Sequence, residues 1–173
     1  MHLVFFDWVC NLKANFRHLG SYLMTYSGGC QCGAIRFEIR SEPVVAYCCH
    51  CTDCQQQSSS AFGMSVWFPN DAFTLTSGVL STWETRGDSG SEKACTFCPE
   101  CGTRIYHAFP GEADTLSVKG GSLDRISEII PIAHIWTRSA QPWMSRYIIG
   151  EICYETEPDN FDHLVAHFQR KSD

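Results

Sequence analysis

Seven of the eleven cysteines in this chain of 173 residues fall into three short clusters, Cys30-Gln-Cys32, Cys49-His50-Cys51-Thr-Asp-Cys54 and Cys98-Pro-Glu-Cys101-Gly102. These are metal-ligand spacings, and they constrain the fold because each ion must draw separate thiolates onto one point. Four thiolates close a tetrahedral zinc shell and make a structural site, whereas three leave a position open to water or substrate. A four-plus-three partition would give one site of each kind.

Each cluster has a competing reading. Cys98-Pro-Glu-Cys101-Gly102 has the form of a zinc knuckle, in which a tight turn presents two sulfurs and the following glycine relieves crowding. A redox Cys-x-x-Cys pair would need a strand-to-helix context, and here strand-like residues 104–109 follow. Cys30 and Cys32 sit among Gly28, Gly29 and Gly33, which let the backbone bend around one ion; the alternative is a pair of buried apolar cysteines. In the middle cluster His50 is a local candidate for a fourth ligand. A residue between two ligands in Cys-x-Cys points away from the metal, so the favoured reading is a histidine that hydrogen-bonds the loop or meets solvent. Cys48 is sterically awkward beside Cys49, Cys95 is a further candidate, and Cys10 and Cys153 have no partners by spacing.

Composition narrows the class. With 44% apolar and 13% aromatic residues the chain can build one compact core that a metal supplements. A net charge of −6 with only 13 thinly scattered Lys and Arg argues against a nucleic-acid surface. The odd cysteine count fits reduced thiols in the cytoplasm better than an exported disulfide framework. Residues 1–23 have no basic lead, sustained apolar run or cleavage site, so neither a signal peptide nor a membrane span is expected. Met24 lies just ahead of the first cluster, which divides the chain into an N-terminal extension, 1–23, and one zinc-binding domain, 24–173. Phe5, Val9, Leu12 and Phe16 recur at helical spacing, so the extension is either a packed helix or a loose tail.

From Gly28 onward the pattern is of short strands and turns. Ile35, Phe37 and Ile39 alternate with charged residues, the period of a half-buried strand. Further strands are expected over 44–47, 64–68, 73–76, 104–109, 115–119 and 132–137, with turns at Pro69-Asn70-Asp71 and Ser77-Gly78. The polar run 86–92 reads as an exposed loop. Only the tail reads as helical, where Phe161, Leu164, Val165 and Phe168 follow i, i+3, i+4, i+7 after Pro158-Asp159-Asn160.

Gly28 to Gly33, Cys49 to Cys54 and Phe97 to Thr103, in that order, resemble the motifs of the glutathione-dependent formaldehyde-activating enzyme family, which also includes centromere protein V. The resemblance spans about residues 24–143. It implies a mainly β fold, a β-tent of stacked antiparallel sheets, here with a C-terminal helix, carrying two zinc ions per chain. It also implies that Cys30, Cys32, Cys98 and Cys101 hold the structural zinc and that Cys49, Cys51 and Cys54 hold the second, at the catalytic site. The implied reaction joins a small thiol, glutathione, to formaldehyde, in the class of carbon-sulfur lyases. Three thiolates make an electron-rich ion, a better template for a substrate thiolate than an activator of water. Arg86, Lys93, Arg104 and Arg138 are available for glutathione's carboxylates, and His107 and His134 for proton transfer. The competing class is a zinc-stabilised binding module without turnover, since function belongs to the site and not to the fold.

Overall fold

The computed structural model describes residues 24–87, 90–111, 114–148 and 152–172. The N-terminal extension and its candidate helix lie outside the described residues. The smaller of two sheets has the order β1 (Tyr26–Gly29), β2 (Arg36–Ile39), β5 (Phe73–Ser77). The larger runs β11 (Ile152–Cys153), β10 (Ala133–Ile135), β3 (Val45–Cys49), β4 (Gly63–Pro69), β9 (Thr115–Lys119), β8 (Arg104–Ala108), β7 (Glu92–Phe97), β6 (Ser81–Arg86). All the expected strands are present with ends shifted by a residue or two. The strands pair antiparallel as expected except at one edge of the large sheet, where β10 pairs in parallel with both β3 and β11. A stretch of turns after β9 carries the chain across to the far edge, so β10 enters in the direction of β3.

Strand alternation sorts the large sheet into two unlike faces. One carries Ala46, Val66 and Val118 across three neighbouring strands, all fully buried. Against it packs the small sheet: Tyr26 meets Phe68 at 5.4 Å between ring centroids, and Phe73 joins Phe37 at 5.0 Å to Tyr106 at 5.1 Å. Each fully buried side chain of this kind contributes roughly 1.5–3 kcal/mol. The opposite face is polar. Its register sets Tyr47, Ser65 and Lys119 in one row, and Trp67, Ser117, His107 and Cys95 in the next.

Two helices complete the fold. The expected C-terminal helix α2 (Asp162–Ser172) buries Leu164 and Phe168, and Phe161 at its start lies on Trp67 with ring centroids 4.4 Å apart. The expectation that only the tail is helical is overturned by α1 (Thr52–Ser58), inside the middle cysteine cluster. It has no fully buried residue and so no apolar period to betray it. Cys51 caps it, accepting the Cys54 N–H on sulfur at 3.4 Å, and Ser59 ends it in the left-handed region at φ 51°. At the ends of the run 86–92, Arg86 and Glu92 pair across β6 and β7 and form an ion pair.

Candidate metal centres

Among the described residues no cysteine is in a disulfide, and seven form two groups in which every sulfur lies within 4.8 Å of the others in its group. The first group is Cys30, Cys32, Cys98 and Cys101. The Sγ atoms of Cys30 and Cys32 are 3.3 Å apart and those of Cys32 and Cys98 are 3.8 Å apart. Both are far beyond a covalent S–S bond of about 2.05 Å. The second matches the ~3.8 Å edge of a tetrahedron with Zn–S bonds of ~2.3 Å, and the first is somewhat shorter. Backbone geometry favours thiolates here: the Ile35 N–H donates to Cys30 Sγ at 3.2 Å, and Gly102 turns the knuckle at φ 74°. The Thr103 hydroxyl and backbone N–H draw Cys101 down to about 5. Thr103 Oγ1 also accepts the Gln31 N–H at 3.2 Å, tying the two halves of the group together.

The second group is Cys49, Cys51 and Cys54, contributed by the end of β3, the cap of α1 and its first turn. Close packing needs Gly63, which pairs with Cys49 across β3–β4: a Cβ there would lie 3.3 Å from Cys54 Cβ. Packed together and buried, the three thiols share protons unequally. Hydrogen bonds from Cys49 and Cys51 bring Cys54 down to about 3, aided by Lys119 and Lys93 and opposed by burial. Cys49 moves the other way, held protonated by its bonds to Cys51 and Cys54. Three sulfurs packed within 4.8 Å of one another, with Lys119 and Lys93 favouring the thiolate of Cys54, fit a soft cation such as zinc.

This group lies in the wall of a cavity of about 400 Å³, within the ~300–1,000 Å³ range of small-molecule sites. The floor is the polar face of the large sheet, and Trp136, Pro158 and Phe161 lie around it. Lys119 is desolvated, which lowers its pKa, and its Nζ donates to Ser65 Oγ at 3.3 Å. His107 is kept neutral by burial and by Lys119, Lys93 and Arg104. Its Nε2–H donates to Gln57 Oε1 at 2.7 Å, leaving Nδ1 as an acceptor. Lys93, whose ammonium is favoured against burial by Asp53, binds that carboxylate at 2.8 Å.

Several sequence-derived candidates sit elsewhere. His50 is fully buried and does not meet solvent: its Nε2 is 2.8 Å from His134 Nδ1, and its ring also interacts with the Ala61 backbone in the loop before β4. His134 is thus committed to His50. Cys95 is buried and accepts from Gln57 Nε2 at 3.7 Å, outside the three-sulfur group. Arg86 is spent on Glu92, and Arg138 lies over the Trp136 ring at 4.7 Å. Lys119, the cation most deeply set beside the three thiols, was missed by sequence reasoning; in Thr115-Leu116-Ser117-Val118-Lys119 it looks like an ordinary solvent-facing strand residue.

A two-sheet fold with one four-cysteine and one three-cysteine group, both able to hold metal, defines the class. Residues 25–139 match the family model of the glutathione-dependent formaldehyde-activating enzyme, and the chain belongs to that family. A crystal structure of a Rhodobacter sphaeroides protein is similar at 17% identity, covering 74% of this chain and 98% of that one, with a TM-score of 0.47. No helix among the described residues is long and apolar enough to cross a membrane.

Proposed function

We propose that the chain is a zinc-dependent enzyme that adds a small thiol, glutathione or a close analogue, to formaldehyde, with formation of S-(hydroxymethyl)glutathione as the reaction. Cys30, Cys32, Cys98 and Cys101 would hold the structural zinc, and Cys49, Cys51 and Cys54 the second. The observation that carries the reading is the contrast between the two groups: the three-sulfur set opens on a cavity furnished with Lys119, Lys93 and His107. Zinc bound by three thiolates supplies a template that holds a further thiol as thiolate.

The protein's own side chains account for the rest. The reaction forms a C–S bond and moves the thiol proton to the carbonyl oxygen. Lys119 Nζ, whose desolvation brings its pKa down, takes up the proton the thiol loses on becoming a thiolate and gives it to the carbonyl oxygen as the C–S bond forms. His107 Nδ1 accepts a hydrogen bond and does not carry charge, since three cations surround it. Trp67, Trp136 and Phe161 line the cavity, and a substrate seated against them would displace water and strengthen these interactions.

The test is exchange NMR of ¹³C-formaldehyde with glutathione over zinc-loaded protein, with Cys54→Ser as control. Accelerated formation of the hydroxymethyl thioether in wild type and background rates in the variant are expected. Background rates in both would sink the enzymatic reading and leave a binding module.

A further inference from the structure

Gln57, in the last turn of α1, touches two residues of the large sheet, and one of them is His107. We infer that Gln57 is a positioning residue that holds His107 with its proton on Nε2, so that the bare Nδ1 is the nitrogen offered to a ligand beside Cys54. Its use in catalysis rests on the reaction proposed above, while the hydrogen bond itself can be measured without any turnover.

Topology brings the partners together. Cys95 on β7 and His107 on β8 are register partners, so their side chains stand beside each other on the polar face of the large sheet. Gln57 reaches both from α1: its Oε1 lies 2.7 Å from His107 Nε2, and its Nε2 donates to Cys95 Sγ at 3.7 Å. Gln57 also lies three positions after Cys54, the spacing of neighbours on one helix face, so the helix that carries a sulfur of the second group carries the amide as well. Cys54 and His107 line the cavity already described and a second one of about 410 Å³, which Gln57 lines with them.

The two ends of an amide are not interchangeable. With its NH2 on the Cys95 sulfur, Gln57 turns a carbonyl oxygen to the imidazole, and that oxygen only accepts. His107 Nε2 must therefore carry the ring proton, and Nδ1 keeps its lone pair. A flipped amide would reverse these roles: its NH2 would face the ring, Nε2 would accept, the proton would move to Nδ1, and the Cys95 thiol, a weak donor, would have to donate to the carbonyl. Charge opposes the flipped arrangement. The charges felt most strongly by the ring are those of Lys119, Lys93 and Arg104, and a positive potential favours a lone pair over an N–H on the nitrogen that Gln57 does not hold. A bare Nδ1 can accept from a thiol or from the hydroxyl formed in the proposed reaction, whereas an N–H at that place could not.

Long-range ¹H–¹⁵N NMR of the zinc-loaded protein reads the ring nitrogens directly, with the His107 signals identified by their absence from His107→Gln. Wild type should show a proton on Nε2, protected from exchange with water, and a bare Nδ1. Gln57→Met keeps the side-chain length and removes the carbonyl; it should speed exchange of that proton roughly 3- to 10-fold, the worth of one neutral hydrogen bond, and lower kcat for addition of glutathione to formaldehyde by a similar factor with KM little changed. Gln57→Glu, which keeps an acceptor, should restore both the protected proton and most of kcat. A proton on Nδ1 in wild type overturns the inference, and that measurement needs no variant to fold. Unchanged exchange in Gln57→Met overturns it as well, as does an unchanged kcat where wild type turns over. If wild type accelerates no addition at all, the proposed reaction fails, and the NMR signals still decide whether Gln57 holds the ring.

Discussion

Replacing Cys98 and Cys101 together by Ser, which leaves the first group only Cys30 and Cys32, should destabilise the zinc-loaded protein more than replacing Cys54 by Ser, by an amount set by chain topology. The first group joins Cys32 to Cys98 across 66 positions. The second joins Cys49 to Cys54, 54 − 49 = 5 positions apart. A cross-link stabilises by restricting the unfolded chain, roughly as 1.5RT times the logarithm of loop length, so the two loops differ by about 2 kcal/mol. For a domain of this size that is a gap of about 4–8 °C in melting temperature. Calorimetric melts of wild type and both variants, each with zinc and after chelation, would measure it. Chelation removes the cross-links but leaves the side-chain changes, so the excess loss for the Cys98→Ser, Cys101→Ser variant should be present with zinc and shrink without it. An equal loss for both variants with zinc, or an undiminished gap after chelation, would refute the assignment of the four-sulfur group as the long-range tie.

Three further outcomes follow from local geometry. Cys54 falls from 9.0 to about 3 in the fold, so between those values the unfolded chain binds the extra proton, and metal-free stability should rise with pH across that window and be lost as pH falls through about 3. Cys49, pushed upward, stays protonated in both states there and adds no slope; urea unfolding of metal-free wild type and Cys54→Ser at pH 4 and 7 should show the wild-type advantage growing with pH. Gly28→Ala places a Cβ 2.3 Å from the Ser122 carbonyl oxygen and from Phe37 Cζ, and should cost about 1–3 kcal/mol by chemical denaturation. Phe68→Ala, at a fully buried position touching Tyr26, should cost about 3–5 kcal/mol with the cysteine groups left able to bind zinc.

Strands were legible where one face is apolar and the other charged, as in Ile35-Arg36-Phe37-Glu38-Ile39. Those missed carry little of that contrast. β6 is largely exposed along Ser81-Thr82-Trp83-Glu84-Thr85-Arg86, and β1 consists of Tyr-Ser-Gly-Gly. The short helix α1 escaped for a related reason: its place is set by a sulfur cap and by its three-cysteine loop, not by burial of an apolar stripe. The parallel placement of β10 follows from a crossover, which is long-range information that local periodicity does not hold.

The cysteines could be grouped from the sequence because ligand spacing is local, but the cavity chemistry is assembled across strands. Alternation in β9 correctly separates Leu116 and Val118 from Ser117 and Lys119, yet it cannot distinguish a polar face meeting solvent from one meeting a cavity. What decides the matter is sheet order: β4 sets Ser65 beside Lys119, β8 sets His107 beside Ser117, and β3 brings Cys49 to the same face. The residues 157–161 and Trp136 then lie around that face, so Lys119 becomes a desolvated cation beside Cys54 and not a surface charge. Arg104 follows the same logic: its neighbours Trp83 and Phe97 come from β6 and β7, and only their convergence leaves a guanidinium fixed in place without an acid. Metal ligands are therefore read along the chain, whereas the groups that would recognise and protonate a substrate are read across the sheet, and a cysteine pattern shared with other proteins need not carry the same specificity.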